Sequence, residues 1–298
     1  MKRRWLIQGL GLTLGSSLVA ARSGSSVLAQ EAPPALPTTP PVTDPLNPLP
    51  PPPTPTTSPD AGTADPTTVE FVAPTGGLRI NWLHHSCVLF ESPEARILVN
   101  PFRSIGCTAG YPPPALSADL VLLSSRLFDE GFLQVVPGNP RVLFQPGDYT
   151  VESIRIQGVR MAHDNTTSQG NRFGINVGWR WEQAGIDIVH LGGAAAPITR
   201  EQEILLSKPD ILFIPVGGGP KNYDPEGAKE AIATLNPKVV VPTMYRTAAA
   251  DSSCELQELE AFLSLFPAAA VQEAPGVSLV LSEGNLPDTG VVLLVFPD

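Results

Sequence analysis

The chain has 298 residues, 42% of them hydrophobic, with 19 Lys and Arg against 29 Asp and Glu for a formal charge of −10. That apolar fraction supplies one large core or two small ones. The acidic balance excludes nucleic acid as a partner, because a polyanion is repelled.

The first 29 residues read as an export signal. Lys2, Arg3 and Arg4 are followed from Trp5 to Ala21 by apolar and small residues without charge, including Gly9, Gly11 and Gly15. The run from Lys2 to Gln8 resembles a twin-arginine motif, whose export route carries folded proteins. Val27-Leu28-Ala29 places small residues for cleavage after Ala29, which leaves 15 basic against 29 acidic residues, a formal charge of −14. The expected location is a periplasm or thylakoid-type lumen. An uncleaved signal would instead tether the chain and be its one membrane contact, since no later apolar run reaches the about 18 residues of a spanning helix.

Residues 30–70 form a tether. Between Pro33 and Pro66 stand 14 of the 34 prolines, mixed with Thr, Ser and Ala. Proline removes backbone donors and restricts φ, so an extended, partly polyproline II spacer is expected. A folded domain is expected over 71–298.

Within it, residues 78–83, 87–91 and 96–99 read as an antiparallel meander, the last two joined by the turn-forming Ser92-Pro93-Glu94. Further strands are expected at 120–123, 141–144, 154–161, 173–181, 186–191, 211–216, 239–241, 277–281 and 291–296. Helical spacing is confined to 199–207, to 225–235 with Asp224 as cap and Pro225 at the first position, and to 252–266. Strands first and alternating helices later imply layered α/β sheets.

Five blocks in this order resemble the metallo-β-lactamase superfamily, in particular its branch of small hydrolases that includes the ascorbate-6-phosphate lactonases. They are Asn81-Trp82-Leu83-His84-His85-Ser86-Cys87, followed by Asn100-Pro101; the run from Ala118 to Gly131; Val159 to Asp164; Ile188 to Gly193; and Val241 to Thr247. The resemblance implies a four-layer αββα sandwich and a zinc-dependent hydrolase. It also exposes what this chain lacks. Ser125, Leu127 and Glu130 hold the places of the histidines in Ser-His-x-His-x-Asp-His-Gly, with Asp129 and Gly131 kept. His163 matches a metal-binding histidine, Gly193 stands where the bridging aspartate belongs, and Met244 where the last histidine belongs.

A catalytic zinc takes three protein ligands and acidifies a water in its open position. One histidine does not suffice, and a thioether is a poor zinc ligand. The expectation is a pseudoenzyme with no cofactor, binding a small molecule or a protein. Two alternatives stand beside it: a residual hydrolase with one weakly held divalent metal at Asp129, Glu130 and His163, and a structural or assembly protein with a vestigial pocket.

Several smaller readings follow. His85 is expected beside the pocket, His84 on the opposite face of a strand, and His190 in a structural role. A serine hydrolase would need Ser125, His163 and Asp129 to meet. Gly217-Gly218-Gly219 with Lys221 lacks the spacing of a phosphate loop. Lys221, Asn222 and Arg246 would instead hold a small anion at the rim. Of Cys87, Cys107 and Cys254, the resemblance allows a Cys107–Cys254 disulfide across the pocket mouth.

Overall fold

Alternation of apolar and polar residues builds the first strand, β1 (Leu78–Trp82), in which Leu78, Ile80 and Trp82 are buried and Arg79 and Asn81 are not. The computed structural model describes residues 76–165, 170, 172–287 and 290–298. The signal and the tether read from the sequence lie outside the described residues.

β2 (Val88–Glu91) and β3 (Arg96–Val99) complete the antiparallel meander. β4 (Leu120–Leu122) and β5 (Arg141–Leu143) extend it in parallel, and β13 (Ser278–Leu281) closes its other side, giving a six-stranded sheet ordered β13-β1-β2-β3-β4-β5.

The second sheet has eight strands. β6 (Gly147–Val151), β7 (Ile154–Met161), β8 (Asn176–Gln183) and β9 (Ile186–His190) run antiparallel. β10 (Ile211–Pro215), β11 (Val239–Thr243), β14 (Val292–Val295) and β12 (Val271–Glu273) continue in parallel. Every residue of β10 and β11 is buried, because each face of these strands is covered.

The expected two-sheet α/β sandwich is therefore present. Its main core lies between the sheets, where Phe90 meets Trp181 and Phe213 edge-on at centroid distances of 5.0 and 5.3 Å. A second core joins the outer face of the eight-stranded sheet to the helices. α1 (Arg200–Leu206) is capped by Thr199 and Gln202, and α2 (Pro225–Leu235) by Asp224 with Pro225 at its first position. On the outside of the other sheet, Phe102, Leu123 and their neighbours are covered by irregular chain and short 3-10 turns instead of an α layer.

Local expectation failed in three places. The helix expected over 252–266 is reduced to α3 (Leu259–Leu263). Its first half is held as a loop by the Asp251 carboxylate, which accepts from Ser253 N at 2.7 Å, and by a disulfide from Cys254 to Cys107. The strands β6 and β12 were not anticipated: β6 starts at Gly147-Asp148 and is mostly exposed, β12 has three residues, and both take their form from a neighbouring strand at a sheet edge.

The Cys107–Cys254 bridge spans 147 residues of sequence and ties the loop after β3 to the loop after β11. Closing so long a loop restricts the unfolded chain, so Cys107→Ser with Cys254→Ser should lower unfolding free energy by roughly 2–4 kcal/mol. Urea titration would measure this. Intact mass with and without reductant should show one disulfide, and free thiols at both positions would contradict it.

Candidate functional site

The side chains of the site come from chain segments that leave neighbouring strands at one end of the sandwich. Asp129 and Glu130 lie beyond β4, His163 beyond β7, Gly193 beyond β9, Lys221 beyond β10 and Met244 beyond β11. In parallel sheets the carboxyl ends of strands are where loops converge on a ligand. Gly131 holds the β4 loop tight, since a side chain there would start 2.2 Å from the carbonyl oxygen of Ser125.

At the bottom, His163 Nε2 lies 2.8 Å from Glu130 Oε1, and neither side chain is exposed. The contact has the distance of an ion pair but is bent away from hydrogen-bond geometry. Burial raises the Glu130 pKa, and the imidazole of His163, helped by Lys221 and Ser125, more than reverses this and holds it below the usual carboxylate range. Above them Lys221 Nζ pairs with Asp129 Oδ2. Burial opposes the charge on Lys221, while Glu130 and then Asp129 favour it and leave its pKa raised.

His84 and His85 do not sit on a strand. Both adopt left-handed backbone, with φ of 70° and 58°, in a turn after β1. The turn sends the two rings apart all the same: His84 stacks on Tyr111 at 3.9 Å, and His85 is buried among Asp129, Lys221 and Glu130. Burial is the main cause of its pKa falling to about 4. The carbonyl of His85 accepts from Met244 N at 3.0 Å, and the Met244 side chain is buried with Cys254 and Leu256.

His190 is structural. Its Nδ1 accepts from Gly192 N at 3.1 Å, so Nε2 is the donor to Ser86 O, also at 3.1 Å. This neutral tautomer is kept by burial, which lowers its pKa to about 4. Sequence reasoning missed Asn176, which receives Gly193 N on Oδ1 at 3.0 Å and gives Nδ2 to Leu191 O at 2.7 Å. An asparagine opening a strand whose next residues are Val177, Gly178 and Trp179 was the available signal.

The residues do not fit the superfamily's two-metal centre. A side chain on Gly193 would begin 2.6 Å from His163 Nε2 and 3.0 Å from Glu130 Oε2, so the bridging carboxylate has no room. The ring nitrogen that would bind metal faces Glu130 instead. Among the described residues no group of three or more His, Cys, Asp or Glu is arranged to hold a metal ion.

The serine-hydrolase arrangement is not assembled either. His163 faces Glu130 and Asp129 faces Lys221, while the Ser125 hydroxyl oxygen accepts from Leu127 N at 3.2 Å. A triad needs the imidazole between hydroxyl and carboxylate.

Over the Asp129–Lys221 pair opens a cavity of about 580 Å³, walled by Ile105, Leu127, Phe128, Phe173 and Leu256, with the disulfide at Cys107 on its side. Of the three residues expected to hold an anion, only Lys221 reaches it, already paired with Asp129. Asn222 is buried, and Arg246 is exposed and donates to Cys254 O at 3.2 Å.

Comparisons with known proteins agree with this geometry at the level of family and fold. A model described as "Beta-lactamase superfamily domain" matches residues 79–244. A metal-dependent hydrolase of Thermoplasma acidophilum is 25% identical over 191 residues, 57% of this chain and 84% of that protein. Another from Archaeoglobus fulgidus is 24% identical over 199 residues, with the same coverage. A solved structure from Thermotoga maritima, a candidate zinc-dependent hydrolase of the metallo-β-lactamase superfamily, is 30% identical with a TM-score of 0.59, covering 74% of this chain and all of that one.

Acid should destabilise the fold. His85 and His190 stay neutral in the folded chain down to about pH 4, whereas histidines in the unfolded chain take up protons near the ordinary value of 6.5. Their contribution is therefore complete above pH 6.5 and lost as pH falls towards 4, at most roughly 3 kcal/mol for each. Urea midpoints should drop across this window, and His190→Gln should show a shallower drop. An unchanged slope in that variant would contradict the assignment.

Proposed function

The chain belongs to the beta-lactamase superfamily domain family, and we propose that it is a non-hydrolytic member whose site binds a ligand instead of activating water. The observation that carries this reading is the buried Glu130–His163 contact of 2.8 Å beside a Gly193 that has no space for the bridging carboxylate. A metal can bring the pKa of water from 15.7 to about 7 and so supply hydroxide at neutral pH, whereas the polar side chains here face one another. His163 meets Glu130, Lys221 meets Asp129, and His85 is neutral above about pH 4.

What remains is a cavity of about 580 Å³, within the range of small-molecule sites. Its mostly apolar wall favours a largely apolar ligand without negative charge, because the floor pair is neutral as a unit and Asp251 and Glu255 also line the cavity. The order of the five sequence blocks supports a place near the ascorbate-6-phosphate lactonase branch. The disulfide at the mouth suits an oxidising compartment and so supports export.

Metal content decides between this reading and a residual hydrolase. Protein folded with zinc, manganese, iron, calcium and magnesium and then dialysed without chelator should retain well under one equivalent of metal per chain by plasma mass spectrometry. One equivalent or more, lost in Asp129→Ala and His163→Ala, would establish the single-metal site and overturn the proposal.

A further inference from the structure

A second concavity lies on the outer side of the six-stranded sheet, next to the candidate site but with a different lining. It encloses about 410 Å³ between Leu123, Arg126, Phe132, Leu133, Val142 and Phe144. Phe128 lines both this cavity and the larger one.

Its aromatic groups are poorly covered for a globular surface. Phe128 is 53% exposed and Phe144 41%. Each has a guanidinium over its ring: Arg126 lies 5.6 Å from the centroid of Phe144, and Arg103 lies 5.6 Å from Phe128 and 5.8 Å from Phe132. Phe128 and Phe132 pack edge-on at 5.7 Å, so the rings form a fixed wall.

The charges are the informative part. On a chain of formal charge −10, Arg103 and Arg126 are both exposed, and among the described residues neither is paired with a carboxylate. Stacking on a ring satisfies a guanidinium's face and leaves its N–H edge to bind an anion. An apolar hollow with an arginine edge at its lip fits a molecule with an apolar body and an anionic end. A carboxylate matches best, because its two oxygens meet the planar fork in parallel.

We propose that this hollow binds a small apolar monocarboxylate, with Arg126 holding the carboxylate and the apolar body lying between Leu133, Val142 and Phe144. The site shares Phe128 alone with the lining of the Asp129–Lys221 cavity and does not depend on whether that cavity hydrolyses anything.

Matched eight-carbon probes test it by titration calorimetry on the full chain. n-Octanoate should bind at least about tenfold more tightly than n-octanol or n-octylamine, the increment of one charge-assisted contact. Arg126→Gln should remove that preference without lowering the thermal midpoint, Phe144→Ala should weaken octanoate and octanol together, and Lys221→Met should leave octanoate binding unchanged. Equal binding of the three probes, loss of octanoate binding in Lys221→Met, or no binding of any probe would each overturn the proposal. So would sedimentation with phosphatidylglycerol vesicles in the absence of octanoate binding, which would make the patch a bilayer contact.

Discussion

Glu130 and His163 meet with no solvent to share their charge or polarity, 2.8 Å apart at the base of the loops. A buried carboxylate is costly unless something compensates it, and removing one partner of such a pair typically destabilises a fold by about 3–5 kcal/mol. Here the compensation comes from side chains: the imidazole of His163 for Glu130, and the ammonium of Lys221 for Asp129. Neighbouring features of the site accommodate this pairing. Gly193 must lack a side chain, and Asn176 holds its backbone from the next strand.

The same pairing shapes the floor of the pocket. A metal centre keeps a coordination position open towards substrate, whereas paired side chains point at each other and present a floor of little net charge. Around it the walls are mostly apolar, and the Cys107–Cys254 bridge joins two loops that are also tied by hydrogen bonds from Gly110 N to Ala249 O and from Asp251 N to Gly106 O. Met244 is fully buried and packs behind the wall against Cys254 and Leu256.

Much of the architecture was legible because strand burial has a local signature. The meander, the long strands β7 and β8, and α2 with its Asp224-Pro225 start lie within a few residues of where alternation and caps placed them. The edge strands β6 and β12 were not legible, since their form depends on pairing more than on composition. The lost half of the third helix shows the reverse case: residues 252–258 have helical spacing, yet the bond from Cys254 and the packing of Leu256 on Met244 hold them as a loop.

By itself the sequence determined the layered α/β class and which residues, Ser125, Leu127, Gly193 and Met244, stand where the resemblance would put metal ligands, because residue identity and strand periodicity are local properties. Only the tertiary structure decided what the remaining charged groups do. Glu130 and His163 are 33 positions apart, and Asp129 and Lys221 92. The adjacent carboxylates Asp129 and Glu130 were read together as one weak metal site, but the fold gives each a different partner. Which charges become neighbours depends on how the two sheets bring the ends of β4, β7 and β10 together, and no spacing along the chain encodes that distance.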